Sequence, residues 1–287
     1  MLWNDGKKQF LNYLSSIERS QETIIGYGKD LKMLGEFLAN SYNGEVFVED
    51  VTTDDIENYL VWLKEVRNYQ PRSRQRHLHT FRSFFSHAYK KEWIERDVAL
   101  AVENIKAPQK ERTFMEKEEV EELIEAIEHP LIQTVCTTLY LTGLRISECL
   151  NLTVDNVNLR KREILIIAGK GNKDRRIPIS EKLFPVLDEY LKYKRVNTSS
   201  QKFFATKKTG MLSAQYVNRV LSDTTKKLGW KKKVTAHIFR HTFASQLVKK
   251  EVNLVQIQKL LGHSSLKVTS VYTHTNMEQM AEAVNAL

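Results

Sequence analysis

Cysteine is scarce in this sequence: 287 residues hold only Cys136 and Cys149, each in apolar surroundings. That argues against a disulfide scaffold and favours two buried small side chains in a reducing compartment. No run of about 18 apolar residues occurs, so no segment reads as a bilayer span. The N-terminus, Met1-Leu-Trp-Asn-Asp-Gly-Lys-Lys8, lacks the apolar stretch of a secretory signal. Internal repeats and low-complexity tracts are missing too. Acidic charge is in deficit, 35 Asp+Glu against 44 Lys+Arg, which leaves a net +9. Such an excess favours a polyanionic partner, because each phosphate neutralised releases condensed counterions. A 41% hydrophobic content is ample for packed cores, and the length suits one large domain or two ordinary ones. A soluble, cytoplasmic protein with no membrane partner is expected.

The first hundred residues read as helices. Phe10, Leu11, Leu14 and Ile17 form one apolar stripe, and Leu31, Leu34, Phe37 and Leu38 form another, at helical spacing. Thr52 and Asp55 have the spacing of a capping box that opens a helix over 56–66. A fourth helix follows Pro71 and runs to about Trp93. The polar segment Ala107–Thr113, with its proline, reads as a linker. The boundaries expected are a helical domain over 1–106, a linker over 107–112 and a second domain over 113–287. In the second, helices are predicted over 116–127, 131–150 with a break near Thr142-Gly143, 181–194, 213–228, 237–250 and 253–261. Ser213 is the expected N-cap of the fourth of these, and Gly229 and Gly262 are the expected stops. Residues 163–168 and 175–179 read as a β-hairpin across Gly169-Lys-Gly-Asn-Lys-Asp174, with Pro178 confining its strand to an edge.

Five phrases carry chemistry: Thr142-Gly-Leu-Arg-Ile-Ser-Glu148, Gly169-Lys-Gly-Asn-Lys-Asp-Arg175, His237-Ile-Phe-Arg-His241, Leu261-Gly-His-Ser-Ser265 and Val271-Tyr-Thr-His274. Arg145 and Arg240 offer guanidinium groups that bind non-bridging phosphate oxygens bidentately and stay charged. His237 lies three residues before Arg240, so the two share a helix face. With His263 it can donate hydrogen bonds or move protons at the same phosphate. Tyr272 supplies a phenol oxygen, a nucleophile able to form a covalent phosphotyrosine. Lys170 and Lys173 compete for a place at the hairpin tip. Singly, each of these residues has a plain structural reading; the order of the five phrases is what distinguishes them.

Taken together, the phrases resemble the active site of the tyrosine recombinase (phage integrase) family, nearest in pattern to the bacterial Xer recombinases. The resemblance spans nearly the whole chain. It implies a mainly α fold with one small β-sheet: a two-domain DNA clamp made of an all-α core-binding domain and an integrase-type catalytic domain. The implied activity is site-specific DNA recombination through a 3′-phosphotyrosine, on double-stranded DNA, by a homo-tetramer on two sites. Arg145, Lys170, His237, Arg240, His263 and Tyr272 match the catalytic positions, with Lys170 as general acid to the leaving 5′ hydroxyl and Glu148 as a supporting acidic residue. No cofactor and no metal are implied. The terminal stripe Met277, Met280, Ala281 and Val284 could fold back onto its own core; the resemblance implies docking on a neighbouring subunit instead.

DNA-backbone contacts are expected from Arg72, Arg74, Arg76 and Arg82 on one helix, from Lys173 and from the run Lys231, Lys232 and Lys233; a solvated face is the alternative for each cluster. Three rival functions draw on the same residues: a type IB topoisomerase-like nicking-closing enzyme, a non-catalytic DNA-binding regulator, and a metallohydrolase using His237, His241 and His263. The last lacks a carboxylate or cysteine at ligand spacing. The first domain begins close to the start of the chain, which favours a simple Xer-like or resolvase-like enzyme over a larger phage integrase. Multimer resolution, transposon resolution and integration remain open, as does the need for a partner recombinase or accessory protein.

Overall fold

The computed structural model describes residues 1–108, 113–167 and 174–262. The chain divides into two compact units, Met1–Lys110 and Glu111–Leu287.

The first unit is built from four helices: α1 (Trp3–Ser16), α2 (Gln21–Tyr42), α3 (Thr53–Glu65) and α4 (Pro71–Lys90). Local chemistry sets their starts. The Ser20 hydroxyl accepts from the Thr23 N–H. Thr52 and Asp55 close the capping box that their spacing predicts, with the Thr52 N–H on Asp55 at 2.8 Å and the Asp55 N–H on Thr52 at 3.2 Å. Pro71 occupies the first turn of α4, where no intrahelical partner is lost. The apolar faces meet in an aromatic core around Trp3, Phe10, Tyr59, Phe81, Phe84 and Phe85. Ile17 departs from the predicted stripe: α1 ends at Ser16, and Ile17 lies exposed at its C-cap.

Helix α4 also carries a buried polar link. Asp30, 2% exposed, accepts from the Thr80 hydroxyl at 2.9 Å and pairs with Arg76, while His77 lies 3.5 Å away. The His77 Nδ1 is 3.2 Å from the Tyr59 hydroxyl, and burial lowers the imidazole's basicity. These bonds fix the register of α4 on α2, so the side of α4 that leaves the core is specified as well.

The second unit contains α5 (Lys117–Glu125), α6 (Pro130–Thr142), α7 (Ile146–Asn151), α8 (Phe184–Glu189), α9 (Ala214–Lys227), α10 (Ala236–Lys249) and α11 (Leu254–Leu261). A π-helical turn, Tyr190–Lys194, continues α8. The stretch predicted as one interrupted helix over 131–150 is two helices, since Gly143 takes a left-handed φ of +65° and ends α6. Cys136 and Cys149 therefore sit on separate helices, both buried.

A three-stranded antiparallel sheet, β1 (Val157–Asn158), β2 (Glu163–Ile166) and β3 (Arg175–Pro178), runs in the order β1-β2-β3. Its register pairs Ile166 with Arg175 and Glu163 with Pro178, which places Pro178 on an edge strand as expected. Strand β1 was missed by the sequence reading because two residues carry no measurable alternation. The hairpin tip, with Lys170 and Lys173, lies outside the described residues, as do His263, Tyr272 and the apolar stripe Met277, Met280, Ala281 and Val284. Among the described residues no helix is long and apolar enough to cross a membrane.

Candidate active site

Arg145 is the N-cap of α7, immediately after the turn that ends α6. Glu148 sits at the third helical position and reaches back to it. Its Oε2 accepts from the Arg145 backbone N–H at 2.8 Å, and its Oε1 accepts from Arg145 Nη1 at 2.7 Å. The same carboxylate holds a second arginine. Arg175, the first residue of β3, donates from Nη1 to Oε1 at 3.0 Å and from Nη2 to Oε2 at 2.8 Å. Side-chain exposure falls from 24% for Arg145 to 11% for Arg175 and 8% for Glu148, so the carboxylate is the covered end of the cluster.

Burial alone would raise the Glu148 pKa. Hydrogen bonds from Arg175 and from the Arg145 N–H, with the charge of Arg175, outweigh that effect and hold it down at about 2. Glu148 is thus an ionised strut under two guanidinium groups.

Arg240, on α10, is 2% exposed. Its Nη1 donates to the Gly143 carbonyl at 2.8 Å and its Nη2 to the Leu261 carbonyl at 2.7 Å. Arg175 Nε donates to the neighbouring Leu260 carbonyl at 3.1 Å. Two arginines therefore cap the C-terminal turn of α11, where the helix dipole favours cations. The contacts form a chain from the α6–α7 turn through Arg240 to α11, and back through Arg175 and Glu148 to Arg145. His237 is exposed at the start of α10, one turn from His241, with ring centroids 4.4 Å apart. Asn218 on α9 fixes that helix start by accepting from the Ala236 N–H at 2.9 Å.

Of the residues singled out from the sequence, Arg145, Glu148 and Arg240 are drawn into this one network, and His237 shares a helix with Arg240. Lys170, His263 and Tyr272 lie outside the described residues, although α11 ends at Leu261 with Gly262 as its left-handed cap, directly before His263. The sequence reading missed Arg175 as a site residue. A signal was present: alternation on β3 puts Arg175 in phase with buried Ile177, an inward-facing arginine that must find a partner.

The sequence marks Gly143 only as a break, but its position is more demanding. A Cβ added there would lie 2.8 Å from Phe243 Cε1 and 2.9 Å from Leu261 Cδ2, on a backbone that L side chains rarely adopt. Gly143→Ala is expected to cost about 3 kcal/mol, combining left-handed strain with overpacking. The Gly143 carbonyl also anchors Arg240, so the substitution loosens that contact as well; urea unfolding of wild type and variant checks the cost.

The basic residues named from the sequence differ in their surroundings. Arg72 is exposed. Arg74 has a buried Nε that makes no hydrogen bond among the described residues. Arg76 is half-exposed and pairs with Asp30. Arg82 donates to the Val102 carbonyl at 2.5 Å and to Asn104 Oδ1 at 2.7 Å, tying down the segment after α4. Lys231 and Lys233 are exposed, whereas Lys232 bonds Glu119 and lies 4.9 Å from the Trp230 ring centroid.

Comparison with known proteins places this geometry. A model described as "Phage integrase family" matches residues 113–279, more than half of the chain. A second, "Phage integrase, N-terminal SAM-like domain", matches residues 8–92. The chain belongs to the phage integrase family. This family member is 32% identical to a tyrosine recombinase XerA of Pyrococcus furiosus over 281 residues, covering 96% of this chain and 92% of the relative. It is 31% identical to a tyrosine recombinase XerC of Caldanaerobacter subterraneus subsp. tengcongensis, covering 97% and 85%. As a phage-integrase family member with such relatives, it is a tyrosine recombinase, an enzyme of site-specific recombination. Among solved structures, a XerA recombinase matches with a TM-score of 0.53 at 26% identity, over 99% of this chain and 98% of that one. The Tn1549 transposon integrase, in complex with circular intermediate DNA, shares the fold with a TM-score of 0.82 at 17% identity, over 99% of each chain.

Proposed function

We propose that this enzyme cuts and rejoins duplex DNA through a covalent 3′-phosphotyrosine. In this reading the Tyr272 hydroxyl gives up its proton to His237 or His263 as its oxygen attacks a backbone phosphorus, the bond from phosphorus to the 5′ oxygen breaks, and that oxygen leaves as a hydroxyl. Lys170 delivers its proton, with Lys173 as the competing donor in the same turn. A 5′ hydroxyl from another strand then reverses the step, so bond energy stays in the protein link and no ATP is consumed. Arg145 and Arg240 hold the non-bridging oxygens, and His237 and His263 add hydrogen bonds as negative charge builds. These groups supply the positive charge that a divalent cation provides in other phosphoryl transfers, so no metal or cofactor has a role.

The observation that carries this reading is the Arg145–Glu148–Arg175 cluster, joined through α11 to Arg240: ionised, mostly covered, and tied to the segment that precedes His263. The two units, taken as residues 1–106 and 113–287 about a 107–112 linker, clasp the duplex. Four copies assemble on two sites, each lending its terminal apolar stripe to a neighbour. The biological setting is resolution of DNA multimers, transposon resolution, or integration and excision.

The test is covalent trapping. Nicked duplexes covering the DNA around the coding locus are incubated with the protein, and detergent-resistant adducts are digested and mapped. A chelator-insensitive adduct on the peptide containing Tyr272 supports the reading. Specific binding without an adduct makes the protein a regulator, and supercoil relaxation without strand exchange makes it a nicking-closing enzyme.

Backbone contacts are assigned to Arg72, Arg74 and Arg76, with Lys173 and Lys231–Lys233. Arg72→Ala is expected to weaken binding similarly across sequences and to reduce the slope of log K against log salt by about 0.9, the value for one phosphate contact. Arg82→Ala, which removes internal hydrogen bonds, is expected to leave that slope alone. It lowers the stability of the first unit by roughly 2 kcal/mol instead. Salt titrations and thermal melts of both variants separate the two roles.

A further inference from the structure

The geometry points to Arg175 as a positioning residue that sets the charge Arg145 presents to a phosphate, by competing with Arg145 for the Glu148 carboxylate. The assignment rests on the reading that Arg145 holds a phosphate.

A carboxylate offers about four lone-pair sites. In Glu148 four donors fill them: Nη1 and Nη2 of Arg175, Nη1 of Arg145 and the Arg145 backbone N–H. Arg175 thus makes the two-pronged contact, and Arg145 is held by a single terminal nitrogen. Without Arg175 the carboxylate is open to a bidentate fork with Arg145, the geometry this pair of groups prefers. That would turn the Arg145 fork inward and neutralise it.

The charge sum leads to the same place. Two guanidinium groups and one carboxylate leave the cluster one positive charge; removal of Arg175 leaves none. Arg175 is poorly placed to meet a phosphate itself, since its side chain is 11% exposed and its three nitrogens are all bonded inward, to Glu148 and to the Leu260 carbonyl. Gly262 closes the other side, where an added Cβ would come within 3.1 Å of the Arg175 guanidinium. Arg175 acts through Glu148 and Arg145, not on the substrate.

A purely structural role would make every loss of Arg175 equally harmful. The charge role makes the loss reversible by a second substitution: Arg175→Gln with Glu148→Gln restores one net positive charge, now carried by Arg145 alone. The probe is inorganic phosphate, which needs no knowledge of the DNA site. Its binding is followed by NMR at the Arg145 guanidinium resonance, assigned by comparison with Arg145→Lys in the full chain.

Arg175→Gln is expected to weaken phosphate binding at that resonance at least tenfold, and the double variant to recover most of the loss. Arg175→Lys keeps the charge and is expected to bind close to wild type, and thermal melts establish that each variant is folded. Wild-type affinity in Arg175→Gln, or a double variant as weak as the single one, overturns the assignment while leaving Arg145 as a phosphate ligand. Absence of any response at Arg145 in the wild-type protein removes that underlying reading, and the assignment with it.

Discussion

Tyr272→Phe is expected to abolish the detergent-resistant protein–DNA adduct, with little change in DNA affinity. The substitution deletes one oxygen and keeps the ring, so packing and charge are nearly conserved. What is lost is the atom that, in the proposed reaction, bonds to phosphorus. Enzymes that work through a covalent intermediate lose a factor on the order of 10⁴ to 10⁶ when the nucleophile is removed. Water is a poor substitute here, because an attack by water would hydrolyse the strand instead of storing it for rejoining. Gel-shift and adduct assays on the same nicked duplex check the result together. Adducts at wild-type levels in the phenylalanine variant would reassign the nucleophile to one of the ten other tyrosines.

Glu148→Ala is expected to have the largest effect on stability. It leaves Arg145 and Arg175 facing each other without their shared carboxylate, in a cluster where that carboxylate is 8% exposed. Breaking a buried ion pair from one side typically costs 3–5 kcal/mol, because the remaining charge stays desolvated. For a unit of this size that corresponds to a fall in melting temperature on the order of 10 °C. Cleavage is expected to fall in parallel, since Arg145 loses the contact that orients it.

The wild-type protein should show the same interaction as an acid limb. The Glu148 pKa is lowered from its ordinary 4.5 to about 2 on folding, so its ionised form stabilises the native state at every pH above about 4.5. That contribution, about 3 kcal/mol by linkage, disappears as pH falls from about 4.5 to 2. Melting curves across that interval should decline more steeply for the wild type than for Glu148→Gln, which has no proton to take up. Parallel curves would show that the pair does not govern the second unit's acid stability.

Much of the architecture follows from short-range chemistry. The capping box at Thr52 and Asp55, proline in the first turn of α4 and the left-handed stop at Gly262 all depend on residues within a few positions of each other. Such signals are legible because backbone geometry and hydrogen bonding act locally. The failures have an equally physical cause. Strand β1 is too short to show a period. Ile17 fits an apolar stripe in a helix that ends one residue too soon.

The chemistry divides along the same line. By itself the sequence determined the kinds of group available: two guanidinium clamps, imidazoles, lysines at a turn, a phenol, and a basic balance suited to DNA. These are properties of residue type and order, which no folding alters. Only the tertiary structure decided which of these groups touch. Glu148 serves two arginines from different elements, Arg240 links the α6–α7 turn to the end of α11, and Arg175, 30 residues from Arg145 in sequence, governs how the carboxylate between them is shared. Side chains compete for partners only once the core has brought them within hydrogen-bonding distance, and that proximity depends on the packing of the second unit's apolar residues and not on any one phrase.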